Sequence, residues 1–246
     1  MVNYKAILQY EGTRYRGWQT QGNTDNTIQG KLEALLTRME GEPVEVHGSG
    51  RTDAGVHAAG QVINFRSSCG KSTSEIRDYM NQYLPEDIAV LSVEEAAPRF
   101  HARLNAVRKT YAYRIWNSPI QNVFERKILT QVEEPLDVEA MQKAASYLEG
   151  EHDFKSFCSV HAQVETTVRT IYACIVSRRE DEIYIRVTGN GFLYNMVRII
   201  AGTLIEVGAG KRQPEDIIKM LEATDRQSAG PTAPAHGLTM IGISYE

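Results

Sequence analysis

The sequence contains little cysteine and no long apolar run. Three widely spaced cysteines, Cys69, Cys158 and Cys174, form neither a CxxC pair nor a Cys/His pattern typical of zinc sites, so we expect free thiols. No apolar stretch reaches the length that crosses a bilayer, and the segment after Met1 lacks the features of a signal peptide. These absences predict a cytoplasmic protein that does not enter a membrane.

Motifs for the common cofactors are missing as well. The sequence has no phosphate-binding Walker loop, no dinucleotide fingerprint and no HExxH motif. We therefore expect chemistry that needs no small-molecule cofactor and no metal.

An excess of positive charge is also absent. The 27 lysines and arginines are outnumbered by 31 acidic residues, which gives a formal net charge of -4. This charge argues against a protein that coats nucleic acid by bulk attraction, whereas a local basic cleft for RNA is compatible with it.

The periodicity of apolar residues predicts alternating strands and helices. Strand-like patterns occupy about 3–10, 44–47, 61–65, 88–93, 107–115, 169–177, 182–187 and 238–245. Helical spacing appears near 28–39, 76–84, 138–148 and 193–207, and Pro214 opens a further short helix. Asn26 with Gln29, and Ser72 with Glu75, have the spacing of capping boxes.

The pattern of strands and helices starts again after Asn117, which predicts two domains of similar construction. We predict an α+β protein with two ferredoxin-like (RRM-like) domains, at residues 1–105 and 106–246. Their antiparallel sheets are expected to pack side by side into an extended platform, with the active-site cleft between the domains.

The segment GSGRTDAGVHA at 48–58 is the first candidate site. Its glycines allow a tight turn, and Arg51 places a cation two residues before the carboxylate of Asp53. A turn-capping aspartate with a surface arginine is an equally good reading of these residues alone. His57 has a titratable imidazole, although a histidine between Val56 and Ala58 is more often structural.

Aromatic and basic residues alternate after FHAR at 100–103, in the segment RKTYAYR at 108–114. Tyr111 and Tyr113 lie on one face of the predicted strand, where a ring can stack on a base or pack in a core. A third segment, GNGFLYNMVR at 189–198, places Arg198 in the first turns of a helix. The helix dipole disfavours a cation there, which indicates an anionic partner such as Asp53, or else a solvated side chain.

Taken together, these segments resemble the TruA family of pseudouridine synthases, in order along nearly the whole chain. The motifs that carry the resemblance are YRGWQ (15–19), TIQG (27–30), GSGRTDAGVHA, FHAR, KTYAY (109–113), HDFKSF (152–157), RTI (169–171), GNGFLYNMVR and APAHGL (233–238). Asn105 departs from the family pattern, which more often has serine after FHAR.

The resemblance implies isomerisation of uridine to pseudouridine at positions 38, 39 and 40 of the tRNA anticodon stem-loop, by a homodimer. It implies that Asp53 is the catalytic residue and that Tyr111 stacks on the flipped uracil. Arg198 would pair with Asp53, Leu238 would pack on the opposite face of the base, and Arg51 would contact the neighbouring phosphate or fill the gap left by the base.

Two other functions fit parts of the sequence. A non-catalytic RNA-binding protein on a doubled ferredoxin-like platform would use the same aromatic and basic residues. A hydrolase would use Asp53 and His57 as an acid–base pair on a small substrate, and would release free base from a nucleoside.

Overall fold

A computed structural model of the chain describes residues 1–159 and 165–246. These residues form two compact units. Unit 1 comprises residues 1–107 and 240–246, and unit 2 comprises residues 108–239. No helix within the described residues is long and apolar enough to span a bilayer.

Unit 1 contains an antiparallel sheet in the order β4-β1-β3-β2. The strands are β1 (Val2–Tyr10), β2 (Val46–Gly48), β3 (His57–Ser67) and β4 (Ile88–Glu95). Strand β3 starts four residues before the predicted strand at 61–65, so His57 belongs to a strand rather than to the preceding loop. The part of β10 (Leu238–Ser244) that belongs to unit 1 also lies beside β3, and a Cβ on Gly60 would stand 2.5 Å from the carbonyl oxygen of Ile241.

Two helices complete unit 1, α1 (Ile28–Glu40) and α2 (Thr73–Tyr83). The predicted capping box of Ser72 and Glu75 is confirmed at the start of α2. The box predicted for Asn26 and Gln29 is wrong, because Thr27 is the N-cap of α1 and its hydroxyl accepts from the Gly30 amide. The side chain of Asn26 instead donates to the Arg14 carbonyl, at 2.6 Å.

Unit 2 contains a sheet in the order β5-β9-β8-β7, in which each neighbouring pair is antiparallel. These strands are β5 (Arg108–Trp116), β7 (Gly150–Asp153), β8 (Val168–Arg179) and β9 (Glu182–Gly189). The two-residue strand β6 (Thr130–Gln131) pairs with β5 in parallel. Strands β6 and β7 are absent from the sequence prediction, because two to four residues are too few to display a period.

The described residues of unit 2 form three α-helices, α3 (Val138–Ser146), α4 (Met196–Gly208) and α5 (Asp216–Ala223). Helix α4 begins three residues after the predicted start at 193, because Asn195 adopts a left-handed backbone conformation that helix geometry forbids. Short 3-10 helices lie at Lys155–Phe157 and Ala235–Gly237, and the second leads directly into β10 (Leu238–Ser244).

The structure thus has the mixed composition of strands and helices that the sequence predicts. Within unit 1 the elements follow the order β-α-β-β-α-β along the chain. Compact units are not the same as domains that fold independently. The domains at 1–105 and 106–246 therefore stay a prediction, and so does their ferredoxin-like arrangement.

Candidate active site

The loop between β2 and β3, residues 49–56, carries Asp53 and Arg51. Arg51 is exposed and Asp53 is half-buried. The Val56 amide donates to the Asp53 carbonyl at 3.1 Å, and Gly55 has a φ of 80°, which a side chain would make unfavourable. A tight turn therefore follows Asp53 directly and fixes the backbone from which its carboxylate projects.

A segment between β1 and α1 holds this loop in place. The hydroxyl oxygens of Tyr10 and Thr52 are 2.8 Å apart in a buried contact, and the Trp18 amide donates to the Thr52 carbonyl at 2.9 Å. Burial is the main cause that raises the pKa of Tyr10, so its hydroxyl keeps its proton at neutral pH. Thr52, the residue before Asp53, is thus bound through both its side chain and its backbone.

Glycines allow the two segments to approach this closely. A Cβ on Gly12 would lie 1.9 Å from the Val56 carbonyl oxygen, and one on Gly17 would lie 2.9 Å from the Thr52 carbonyl oxygen. A Cβ on Gly48 would lie 2.5 Å from the ring of Trp18. Atoms at these separations clash, so the segment between β1 and α1 fits against the GSGRTDAGVHA motif only with glycine at these positions.

His57 has a structural role at the end of the same loop. It is buried, and its Nδ1 accepts a hydrogen bond from the Gly12 amide at 2.9 Å. A backbone amide can only donate, so Nδ1 of this histidine is unprotonated in this contact. The contact gives His57 a structural role, because it joins the end of the loop to the segment at Gly12.

Tyr111 and Tyr113 lie on β5 in unit 2, and both are buried. The ring of Tyr111 meets the ring of Phe192 edge to face, with centroids 5.2 Å apart. The hydroxyl of Tyr113 is 2.7 Å from the Thr130 hydroxyl and donates to the Pro234 carbonyl at 2.9 Å. Tyr113 is thus a packing residue that fastens the segment before β10, and Tyr111 is fixed by an aromatic neighbour.

Arg198 projects from the first turn of α4 and is half-buried. Its Nε donates to the Ala233 carbonyl at 2.8 Å, and its Nη1 donates to the Asn195 side-chain oxygen at 3.0 Å. The Ala233 amide in turn donates to the Arg198 carbonyl at 3.1 Å. The arginine is therefore bound to the APAHGL segment through its side chain and its backbone.

Leu238 is buried at the first position of β10. Gly237 precedes it, and a Cβ there would lie 2.6 Å from the Tyr113 ring. Burial, and secondly the charge of Arg198, lower the pKa of His236 below its ordinary value. Unit 2 therefore brings Arg198 and the segment that leads to Leu238 together around Tyr113.

Sequence reasoning missed the residues that support these candidates. Tyr111 contacts Phe192, and Arg198 contacts Asn195 and Ala233. In the sequence, the motifs that contain these three neighbours drew attention only to their charged and phenolic side chains. Asn195 carried a usable signal, since asparagine just before a helix tolerates the left-handed region and can cap. Within the described residues, no three His, Cys, Asp or Glu side chains gather as metal ligands.

Comparison with known proteins identifies the family. The family model described as tRNA pseudouridine synthase matches residues 6–105 and 144–246. The chain belongs to the tRNA pseudouridine synthase family. The matched ranges include the Asp53 loop, Arg198 and Leu238, whereas Tyr111 lies between them.

Curated relatives of this family match over their whole length. A tRNA pseudouridine synthase A of Bacillus sp. (strain KSM-64) is 48% identical over 245 residues, with 100% of both chains covered. The protein of that name from Brevibacillus brevis is 49% identical with the same coverage. A tRNA pseudouridine synthase A 2 of Bacillus cereus (strain ZK / E33L) is 46% identical, also with full coverage of both chains.

Among solved structures, a chain in a crystal structure of a Cbf5-Nop10-Gar1 complex aligns with 82% of this chain and 45% of its own length. The sequence identity is 11% and the TM-score is 0.37, a level too low to indicate a shared fold.

Family membership establishes the activity at a general level. The protein is an isomerase that converts uridine to pseudouridine in tRNA. This decides against a non-catalytic RNA-binding protein and against a hydrolase of small substrates.

Proposed function

We propose that this pseudouridine synthase acts on uridines 38, 39 and 40 of the tRNA anticodon stem-loop, with Asp53 as its catalytic residue. The observation that carries the proposal is the loop at 49–56, in which Thr52 is bound through its side-chain hydroxyl and its backbone carbonyl and a glycine turn follows Asp53 directly. Such a loop holds one carboxylate in a fixed orientation, which is what attack on a single nucleoside requires.

The reaction rearranges bonds without consuming another reactant. The bond between ribose C1′ and N1 breaks, the uracil rotates, and a bond forms between C1′ and C5. The hydrogen on C5 leaves as a proton, and N1 gains a proton. Asp53 assists the first step as a nucleophile or by stabilising the developing charge on the sugar, and water must be kept away because it would release free uracil.

The remaining site residues bind the target nucleotide in this proposal. Tyr111 stacks on the flipped uracil and accepts the proton from C5, directly or through water, and Leu238 packs on the other face of the base. Arg198 pairs with Asp53 and favours its ionised form. Arg51, which is exposed, contacts a phosphate beside the target or fills the gap left by the base.

The proposal also covers the oligomeric state of the enzyme and its location in the cell. The enzyme works in the cytoplasm as a homodimer in which both subunits bind one tRNA, and each chain contains two ferredoxin-like domains. Static light scattering during size-exclusion chromatography tests the dimer, because the mass of one chain is 27.6 kDa and a dimer would have twice that mass.

Position specificity can be tested with unmodified tRNA transcripts. We expect pseudouridine, detected by mass spectrometry of nuclease fragments, in the fragment that spans positions 38–40. A transcript with cytidine at those three positions, and all other uridines intact, is the matched control and should gain none. Pseudouridine elsewhere in the control transcript would contradict the proposed site.

A further inference from the structure

The residue before α4 has an unusual backbone. Asn195 is the N-cap of this helix, with φ 61° and ψ 6°, in the left-handed region. It is one of three non-glycine residues with positive φ in the described part of the chain, the others being Glu180 and Thr224. An N-cap residue normally has an extended backbone, so this conformation needs a separate cause.

Capping of the helix is not that cause. The side chain of Asn195 makes no capping hydrogen bond to the amides of the first turn, although asparagine is among the best capping residues. Its amide oxygen instead accepts from Nη1 of Arg198 at 3.0 Å. Its amide nitrogen donates to the Ser159 hydroxyl at 2.9 Å, and the Ser159 backbone amide donates to the Tyr194 carbonyl at 3.2 Å.

These contacts fix the orientation of a planar cation. The guanidinium of Arg198 donates from Nε to the Ala233 carbonyl. A second bond, from Nη1 to Asn195, leaves the planar group in another direction, and two such bonds together define the plane of the guanidinium. Asn195 cannot turn away easily, because Ser159 holds the other end of the same amide group.

We propose that Asn195 is a positioning residue for the isomerisation, which acts by setting the plane of the Arg198 guanidinium. The inference rests on the proposed role of Arg198 beside the catalytic carboxylate. An arginine donates in fixed directions within its plane, so its effect on a carboxylate depends on orientation as well as on charge. The left-handed backbone at Asn195 directs its side-chain amide toward the guanidinium of Arg198 and away from the backbone amides in the first turn of α4.

Replacement by glycine separates the side chain from the backbone. Glycine adopts φ 61° without strain, so Asn195→Gly keeps the chain path and removes only the amide group. We expect kcat to fall by about tenfold, with KM for tRNA within about twofold of wild type, because a misplaced group weakens the transition state more than substrate binding. The thermal unfolding midpoint should stay near that of wild type.

Thr224→Gly is the matched control. Thr224 is also a non-glycine residue with positive φ, at the end of α5, and it lies outside the proposed site. This variant should keep both kinetic constants. An unchanged kcat in Asn195→Gly, or an equal loss in the two variants, would overturn the inference.

A double-mutant cycle tests whether Asn195 acts through Arg198. Arg198→Lys keeps the charge but removes the planar group that Asn195 orients, so adding Asn195→Gly to it should change kcat by less than about twofold. A second tenfold loss in the double variant would show an independent role for Asn195 and overturn the inference.

Failure of the inference and failure of the proposed function give different results. Full activity of Arg198→Ala would remove Arg198 from the proposed site, and the inference with it. A large loss in Arg198→Ala together with normal turnover in Asn195→Gly would overturn the inference alone.

Discussion

Asp53 and Tyr111 are held by different kinds of contact. The backbone next to Asp53 is bound by hydrogen bonds from Trp18 and Val56, whereas the ring of Tyr111 is fixed by an aromatic neighbour, Phe192. The residue types of both candidates could be recognised in the sequence. The residues that support them could not, because Trp18 and Phe192 lie 35 or more residues away along the chain and have no catalytic group of their own.

Tyr111→Phe tests the phenolic group separately from the ring. The ring contact with Phe192 and base stacking should survive, whereas transfer of the C5 proton loses its acceptor. We expect product formation to slow by about a hundredfold, a usual size for general acid–base catalysis, with tRNA affinity little changed. Pre-steady-state rates and filter binding with the same tRNA measure the two quantities.

Tyr245→Phe is the control for loss of a partly buried hydroxyl. The Tyr245 hydroxyl donates to the Ala102 carbonyl at 2.8 Å in unit 1, so its removal should cost about 1 kcal/mol of stability. Turnover should be unaffected. Similar rates for wild type and Tyr111→Phe would remove the phenol from the proposed mechanism, and Tyr111→Ala would then show whether the ring matters for binding.

At the scale of elements, the segment between β1 and α1 supports the loop that carries Asp53. The start of α1 could be predicted to within a residue from the sequence, but the identity of its cap could not. Asn26 and Thr27 both have side chains that cap helices, and only the observed bond from Asn26 to Arg14 shows why Thr27 takes that position. The same segment supplies Gly12, which contacts the far end of the loop.

Gly12→Ala should disturb the loop that carries Asp53. The added Cβ would lie 1.9 Å from the Val56 carbonyl oxygen, so the segments must separate and the bond from the Gly12 amide to His57 is weakened. We expect a loss of about 1 to 3 kcal/mol in the free energy of unfolding, as for other overpacked sites, and a lower kcat. Urea denaturation and steady-state kinetics measure these effects.

Gly22→Ala provides the comparison within the same connection between β1 and α1. A Cβ on Gly22 would meet no atom within 4 Å, and this glycine does not have a positive φ. Its replacement should leave stability and turnover unchanged. Equal effects of the two substitutions would show that close approach at Gly12 does not determine the loop geometry.

At the scale of the whole molecule, stability is expected to depend on pH through histidine. Burial is the main cause that lowers the pKa of His236 and of His101 below 6.5, with smaller effects from Arg198 and His47 respectively. The unfolded chain therefore binds protons more readily than the folded chain. Stability should be complete above about pH 6.5 and should decline as the pH falls toward the folded-state pKa values.

Denaturant titrations at several pH values between 5 and 7.5 test this expectation. His236→Gln removes one of these two histidines with a lowered pKa, so the stability of the variant should decline less steeply with acidification than that of wild type. An identical pH dependence in the two proteins would contradict a lowered pKa at His236.

The family of the whole molecule could be predicted from the sequence because its motifs recur in order along the chain. A motif does not show, however, which backbone conformations its residues adopt or which distant residues they contact. The left-handed turn at Asn195 and the close approach of Gly12 to Val56 arise from contacts that no periodicity reveals. Net charge did not indicate the substrate either, because this enzyme acts on tRNA although its formal net charge is -4.

Release of tritium from tRNA labelled at C5 of uridine tests the central claim most directly, because that hydrogen must leave when C5 bonds to the ribose. Wild type is compared with Asp53→Asn, which conserves shape and removes the charge and the nucleophile. We predict release by wild type, no detectable release by Asp53→Asn, and similar tRNA affinity for both. Release at the wild-type rate by Asp53→Asn would contradict the account.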